Sequence, residues 1–323
     1  MTAKEFIEKR LDELKPKAEI IQKPSSKEEL GKFIFKTLML KKFRKFSVTP
    51  EYIPHIKGAI KNSIENNLPI KLLFPFGGYK LWRLEETPET DWAELFTLMY
   101  FVKWIRPITE VYEPGVALDF SSDDVIVERM NNIPKSDTET YNKSFNMVVS
   151  FLEKYIPKNV RITMTPVSSY YTPEEFEKDL EDKIEKMEKE LGGLPRLDEQ
   201  HKRMVELNVR LNPGQDKNPL WREKIELIHQ SYYAVSKRRV YNNAKDKIKV
   251  FCMKMENCIP VGTTKSSTAK FWPGAGALKK VGDSFMEYVL SPSQLEKAEY
   301  ITEPISITGL DGKNFKKIKI INA

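Results

Sequence analysis

The chain has 323 residues, of which 40% are hydrophobic, 11% aromatic and 31% charged, with a formal net charge of +7 at pH 7. That balance excludes a disordered chain and a small domain dependent on cross-links, and the length allows one large α/β domain with a helical addition, or two domains. The positive charge suits nucleic acid, phosphates or carboxylates equally, because net charge governs encounter rather than fold.

Residues 4–46 predict two helices separated near Pro24-Ser25-Ser26, with Ser26 and Glu28-Glu29 supplying a helix start. The basic tract Lys41 to Lys45 closes this region. Pro69 to Phe74 forms a short apolar run ended by Pro75 and Gly77-Gly78, which predicts a buried strand stopping at a tight turn. Asp91 and Glu94 have capping-box spacing and open a helix to about Ile105, with Pro107 expected to stop or bend it. Tyr112-Glu113-Pro114-Gly115 is a turn, and Val116 to Phe120 reads as a second strand ending in Ser121-Ser122-Asp123-Asp124. A helix over 138–156 and a strand over 160–164 complete an alternation of strands and helices, the signature of a parallel sheet.

From Thr172 the composition turns to Glu, Lys, Asp and Leu at helical spacing through Glu190, with further helical stretches over 197–209 and 219–245. Lys247 to Met253, Cys258 to Val261, Tyr300 to Ile307 and Phe315 to Ile321 return to β character. The expected fold is α/β, a Rossmann-like mostly parallel sheet with an N-terminal helical region and a helical insertion. Its divisions are a helical region over 1–66, the first part of the core over 67–170, an insertion or cap over 171–245, and the rest of the core over 246–323.

Cys252 and Cys258 match neither a disulfide framework nor a common zinc spacing and are expected as reduced, structural thiols. His55, His201 and His229 form no metal motif, so no histidine-based metal site is expected. No run of about 18 apolar residues exists, and the N-terminus opens a charged helix rather than a signal peptide, so a cytoplasmic protein with no membrane segment is expected. Oligomeric state is not legible.

Three segments could carry chemistry. In PFGGYK, Gly77 and Gly78 let backbone N–H groups approach an anion, with Tyr79 beside them and Lys80 adding a compact charge. In the acidic segment, Asp123 and Asp124 crowd near Asp119 and can supply a general acid or base, while Arg129 could clamp a carboxylate and Asn131 adds an amide. After Gly262, Lys265, Ser266 and Ser267 could cradle an anion, and Trp272 could wall a pocket; the segment lacks the spacing of a phosphate-binding P-loop. Two other readings stand beside a small anionic substrate. Asp123 and Asp124 could hold a divalent ion in a nucleotidyl- or glycosyl-type transferase. The basic helix over 219–245, with Lys237, Arg238 and Arg239, could bind nucleic acid or a partner, though no recognisable nucleic-acid module supports it.

Phe74-Pro75-Phe76, then Pro88 with Asp91-Trp92-Ala93-Glu94, then Tyr112-Glu113-Pro114-Gly115, then Ser122-Asp123 follow one another over roughly 60–155. This order resembles the isocyanide (isonitrile) synthase family, which includes the pyoverdine- and dityrosine-type biosynthesis proteins. Ile259-Pro260 and the Trp272 loop are similar to its C-terminal part. The resemblance implies secondary metabolism: an amino acid's amine condenses with the ketone of a pentulose phosphate, giving an isocyanide without metal or redox cofactor. It further implies that Lys80, Arg129 or Lys265 holds phosphate or carboxylate and that Asp123 or Asp124 moves protons. The chain departs from the pattern in placing Gly77-Gly78-Tyr79 before Lys80, in having Asp124 in place of a glycine, and in having no histidine in the Trp272 loop.

Overall fold

A computed structural model describes residues 1–16, 23–43, 48, 50–75, 88–130, 133–191, 255–261 and 274–322. Among its described residues the N-terminal region holds the α-helices α1 (Ala3–Asp12), α2 (Lys27–Leu38) and α3 (Ile53–Glu65). The start of α2 is where the sequence put it: the Glu29 N–H donates to the Ser26 hydroxyl at 3.2 Å, satisfying one of the open N–H groups of the first turn. α1 is held to the far end of the chain by Arg10, whose guanidinium donates to both carboxylate oxygens of Glu287 at 2.7 and 3.1 Å.

Next come β1 (Ile70–Pro75), α4 (Trp92–Val111), β2 (Val116–Ser122), α5 (Asp124–Met130), α6 (Lys135–Leu152), β3 (Val160–Pro166) and α7 (Pro173–Leu191). β4 (Cys258–Pro260) then enters the same sheet, giving the all-parallel order β3-β2-β1-β4. The α/β class and its Rossmann-like parallel sheet are therefore as expected. Strand period puts Phe74, Phe120 and Met164 on one face, and Leu73, Asp119 and Thr163 on the other. The first face packs against α1 to α4 and α6 in one continuous core, where Phe74 and Phe120 stack with centroids 4.8 Å apart. On the second face Leu73 and Cys258 are buried against Tyr170 and Met255.

α4 runs through Pro107 to Val111, so of the two expectations, a stop or a bend at Pro107, the stop near Ile105 is corrected. Proline removes one backbone donor, but Ile105 and Ile108 on either side are fully buried, and packing outweighs the missing bond. The Tyr112 to Gly115 turn is fixed from two sides. The Tyr112 hydroxyl donates to the carbonyls of Ser63 and Leu68, and burial pushes this phenol up to about 12. Gly115 has φ +71°, and a Cβ there would lie 1.8 Å from the Asn159 carbonyl oxygen, so only glycine fits.

A second sheet was not legible in the sequence. β5 (Ala275–Val281), β6 (Ser284–Leu290), β7 (Tyr300–Pro304) and β8 (Lys317–Ile321), with α8 (Pro292–Leu295) between β6 and β7, form a mixed sheet of order β6-β5-β8-β7. It packs on α4, and the Trp92 indole donates to the Lys317 carbonyl at 2.7 Å. Of the expected helical insertion, the described part is α7; the stretches over 197–209 and 219–245, with Lys237, Arg238 and Arg239, lie outside the described residues. Cys258 is disulfide-bonded, which corrects the expectation of reduced thiols. Among the described residues no helix is long and apolar enough to cross a membrane.

Candidate active site

At the carboxyl end of β2 the chain leaves the sheet through Asp123, whose carbonyl accepts from the Val127 N–H at 3.0 Å and so starts α5. Asp123 is 8% exposed. Two buried phenols feel its charge. Tyr141, on α6, is held well above the ordinary phenol value by burial first and then by Glu94, with Asp91 and Asp123 adding to it. Tyr170, beyond β3, is raised by burial above all, against a hydrogen bond with Ser121, and by the charges of Asp123, Asp119 and Asp124. Both phenols are therefore neutral donors at physiological pH.

The Tyr141 hydroxyl reaches the N-terminus of α4. Asp91 and Glu94 form the expected capping box, with the Ala93 N–H on the Asp91 carboxylate at 2.6 Å and the Asp91 N–H on Glu94 Oε2 at 2.7 Å. Glu94 is 1% exposed and also accepts from the Tyr141 hydroxyl at 3.2 Å. The Gly276 N–H reaches both Asp91 oxygens at 3.3 and 3.4 Å, so β5 touches the same carboxylate. The helix dipole and these donors favour negative charge at this end.

Around Tyr170 the sheet is polar in a place where parallel strands are usually apolar. The Tyr170 hydroxyl donates to Ser121 Oγ at 2.9 Å. Asp119 accepts from Thr163 and Thr165 at 3.0 and 2.7 Å and pairs with Lys71 at 3.3 Å. Asp124 faces the turn that follows β3, accepting from the Ser168 N–H at 3.1 Å and the Ser168 hydroxyl at 2.5 Å. Arg129 forms an ion pair with Glu177 of α7.

Of the residues expected from the sequence, Asp123 is buried at the carboxyl end of β2, Asp124 is bonded to Ser168, and Arg129 to Glu177. Gly77, Gly78, Tyr79, Lys80, Asn131, Lys265, Ser266, Ser267 and Trp272 lie outside the described residues. The points from which their segments depart are described. β1 ends at Pro75, and beside it the Val261 N–H, just past β4, donates to the Leu73 carbonyl at 2.8 Å. Among the described residues no three of His, Cys, Asp and Glu gather as a metal site would require.

Glu94, Tyr141, Ser121 and Tyr170 did not stand out in the sequence. Glu94 reads as a helix cap, which it is, and nothing in its spacing announces a second bond to a buried phenol. Tyr170 carried a usable signal, since it follows the carboxyl end of a predicted parallel strand, where such folds place their ligand crevice.

No family profile matches the chain, and no curated protein matches its sequence. Among solved structures it is similar to the PvcA protein from Pseudomonas aeruginosa, with a TM-score of 0.52 at 13% identity, over 90% of this chain and 99% of that one. Much weaker likenesses are to tyrosyl-tRNA synthetase from Aeropyrum pernix, with a TM-score of 0.27 at 13% identity over 69% of this chain and 58% of that one, and to a CDPS from Fluoribacter dumoffii, with 0.23 at 10% over 65% and 80%. What these comparisons establish is architecture: the chain has a PvcA-like α/β fold, with its parallel sheet accompanied by a second, mixed sheet.

Proposed function

We propose that the chain is an enzyme of the isocyanide-synthase kind, acting on the amine of an amino acid and the ketone of a pentulose phosphate at the carboxyl end of the parallel sheet. The observation that carries this reading is Asp123, a buried carboxylate at the carboxyl end of a parallel strand, where α/β folds bind ligands, and its charge is felt by the buried phenols of Tyr141 and Tyr170. The motif resemblance over roughly 60–155 and the PvcA-like fold support it independently.

In this reading Asp123 takes a proton from the substrate ammonium, leaving an amine whose lone pair attacks the ketone carbon. A proton passes from the attacking nitrogen to the new alkoxide to give the carbinolamine, whose hydroxyl leaves as water with the proton on Asp123, so that a protonated imine and the Asp123 carboxylate remain. Arg129 has Glu177 as partner, so Lys80 and Lys265, on the segments after β1 and β4, are the preferred holders of phosphate or carboxylate. Gly77, Gly78, Tyr79, Asn131, Ser266, Ser267 and Trp272 belong to the same proposed pocket. Product formation should be followed by mass spectrometry with a panel of amino acids and ribulose 5-phosphate. Wild type is expected to turn over at least one amino acid, and Asp123→Asn to lose about 10²- to 10⁴-fold in kcat. Absence of product across the panel sinks the reaction.

A further inference from the structure

Asp124 is the first residue of α5, yet its carboxylate does not point back to the helix for a cap; both oxygens go to Ser168, one to the N–H and one to the hydroxyl. Ser168 sits in the single 3-10 turn Val167–Ser169. The backbone of that turn carries straight on, with the N–H groups of Tyr170 and Tyr171 both donating to the Val167 carbonyl, at 3.0 and 2.9 Å. Val167 and Tyr171 are fully buried, and the Tyr171 hydroxyl donates to Asp179 of α7 at 2.6 Å. Tyr170 therefore leaves a turn clamped on both sides, and its hydroxyl lands on Ser121, near the end of β2 and two residues before Asp123.

We propose that Asp124 is a positioning residue, which through Ser168 fixes the turn so that the Tyr170–Ser121 hydroxyl pair reads the neutral oxygens of the sugar substrate beside Asp123. This rests on the reading given under the proposed function. A hydroxyl has one proton, so Ser121, accepting from Tyr170, directs its own proton to another acceptor. The pair is uncharged, and of the carboxylates whose charge reaches it, Asp119, Asp123 and Asp124, Asp119 is paired with Lys71; the field that remains is negative, which repels a phosphate and suits a ketone or hydroxyl oxygen. The phosphate would then lie elsewhere, which agrees with the lysines of the segments after β1 and β4.

The test uses the full chain with isotope-labelled tyrosine, Tyr170 being assigned in the NMR spectrum by its loss in Tyr170→Phe. Ser121→Ala defines the shift expected when the phenol loses its partner. Ser168→Ala and Asp124→Ala should move the Tyr170 resonance in the same direction, while Ser168→Thr, which keeps the hydroxyl, should leave it in place. Kinetically, Ser168→Ala should lose about ten- to a hundredfold in kcat/KM for ribulose 5-phosphate with the amino-acid KM unchanged, and should add nothing to the loss in Tyr170→Phe. An unmoved resonance in folded Ser168→Ala and Asp124→Ala overturns the positioning role. Ribulose 5-phosphate that leaves the wild-type Tyr170 resonance untouched overturns the sugar assignment. Should Ser168→Ala move the resonance while no amino acid yields product, the positioning role stands and the reaction reading falls.

Discussion

Asp124 and Glu128 stand one helical turn apart on α5, and the same short helix asks opposite things of them. Asp124 is satisfied by two donors from Ser168. Glu128 accepts a single hydrogen bond, from the Thr138 hydroxyl at 2.6 Å, and its pKa is raised from the ordinary 4.5. Burial is the main cause; the Thr138 bond opposes it, the charge of Asp124 adds to it, and Lys135 and Glu139 act in opposite directions. A carboxyl whose pKa is higher folded than unfolded binds its proton more tightly in the folded state. Its contribution is then fully present below the unfolded value and is lost as pH rises through the folded one. Glu128→Gln keeps an acceptor for Thr138 and removes the charge, so it should raise the melting temperature at pH 7. The gain should shrink as pH falls and vanish below about 4.5, the ordinary glutamate value. A melting difference that is flat from pH 4 to 8 would rule out the electrostatic account. At this scale the sequence was a good guide to location and a poor one to role: crowded aspartates after a strand marked Asp123 and Asp124 together. Only the turn after β3, brought alongside by parallel pairing, distinguishes Asp124, bonded to Ser168, from Asp123, which is not.

Elements were legible where their signals are local. The capping box at Asp91 and the cap at Ser26 depend on residues three apart, and the strands β1 to β3 are short apolar runs bounded by prolines and polar turns. β5 was not legible because its composition answers to a distant partner. Ala275, Gly276 and Ala277 look like loop residues, yet Gly276 is small because the strand crosses the start of α4, while Ala275 and Ala277, on the other face, pack against Leu290. A Cβ on Gly276 would lie 2.4 Å from both the Ala93 nitrogen and the Trp92 Cβ, and 2.5 Å from the Trp92 carbonyl carbon. Backbone atoms cannot swing aside, so Gly276→Ala should force β5 off the helix and cost about 1–3 kcal/mol, weakening its N–H contacts with Asp91 as well. Gly58, inside α3 and exposed, makes the matched control: a Cβ there meets nothing within 4 Å. Gly58→Ala should stabilise by roughly 0.5–1 kcal/mol through helix propensity alone. Urea denaturation of the two variants should therefore shift the midpoint in opposite directions, and a neutral Gly276→Ala would show that the second sheet yields at this contact.

At the scale of the molecule, the order β3-β2-β1-β4 gives the two glycine- and lysine-bearing segments a common origin. From β1 the chain winds outward through β2 and β3, then returns to add β4 on the opposite side of β1. Sheets of this kind bind ligands where the winding reverses, at the carboxyl ends of the two strands concerned. Those strands are β1 and β4, joined through Leu73 and Pro260 in register and by the Val261 N–H on the Leu73 carbonyl. Their carboxyl ends lead directly into PFGGYK and into the segment with Lys265, Ser266 and Ser267, more than 180 positions later in the chain. The sequence suggested each segment singly and offered no reason to join them, because a register between β1 and β4 has no local signature. If the reversal is the binding crevice, ribulose 5-phosphate at saturating concentration should slow hydrogen exchange in peptides covering 76–87 and 262–273 together, along with the end of β2. A binding-competent folded state is stabilised by mass action, by about 2.7 kcal/mol at a hundred times Kd, so a melting shift should accompany the protection. Lys80→Ala and Lys265→Ala should each remove protection from both segments, as expected of one anion shared between them. Protection of one segment alone, or loss of protection confined to the substituted segment, would mean that the adjacency of β1 and β4 does not create a common site.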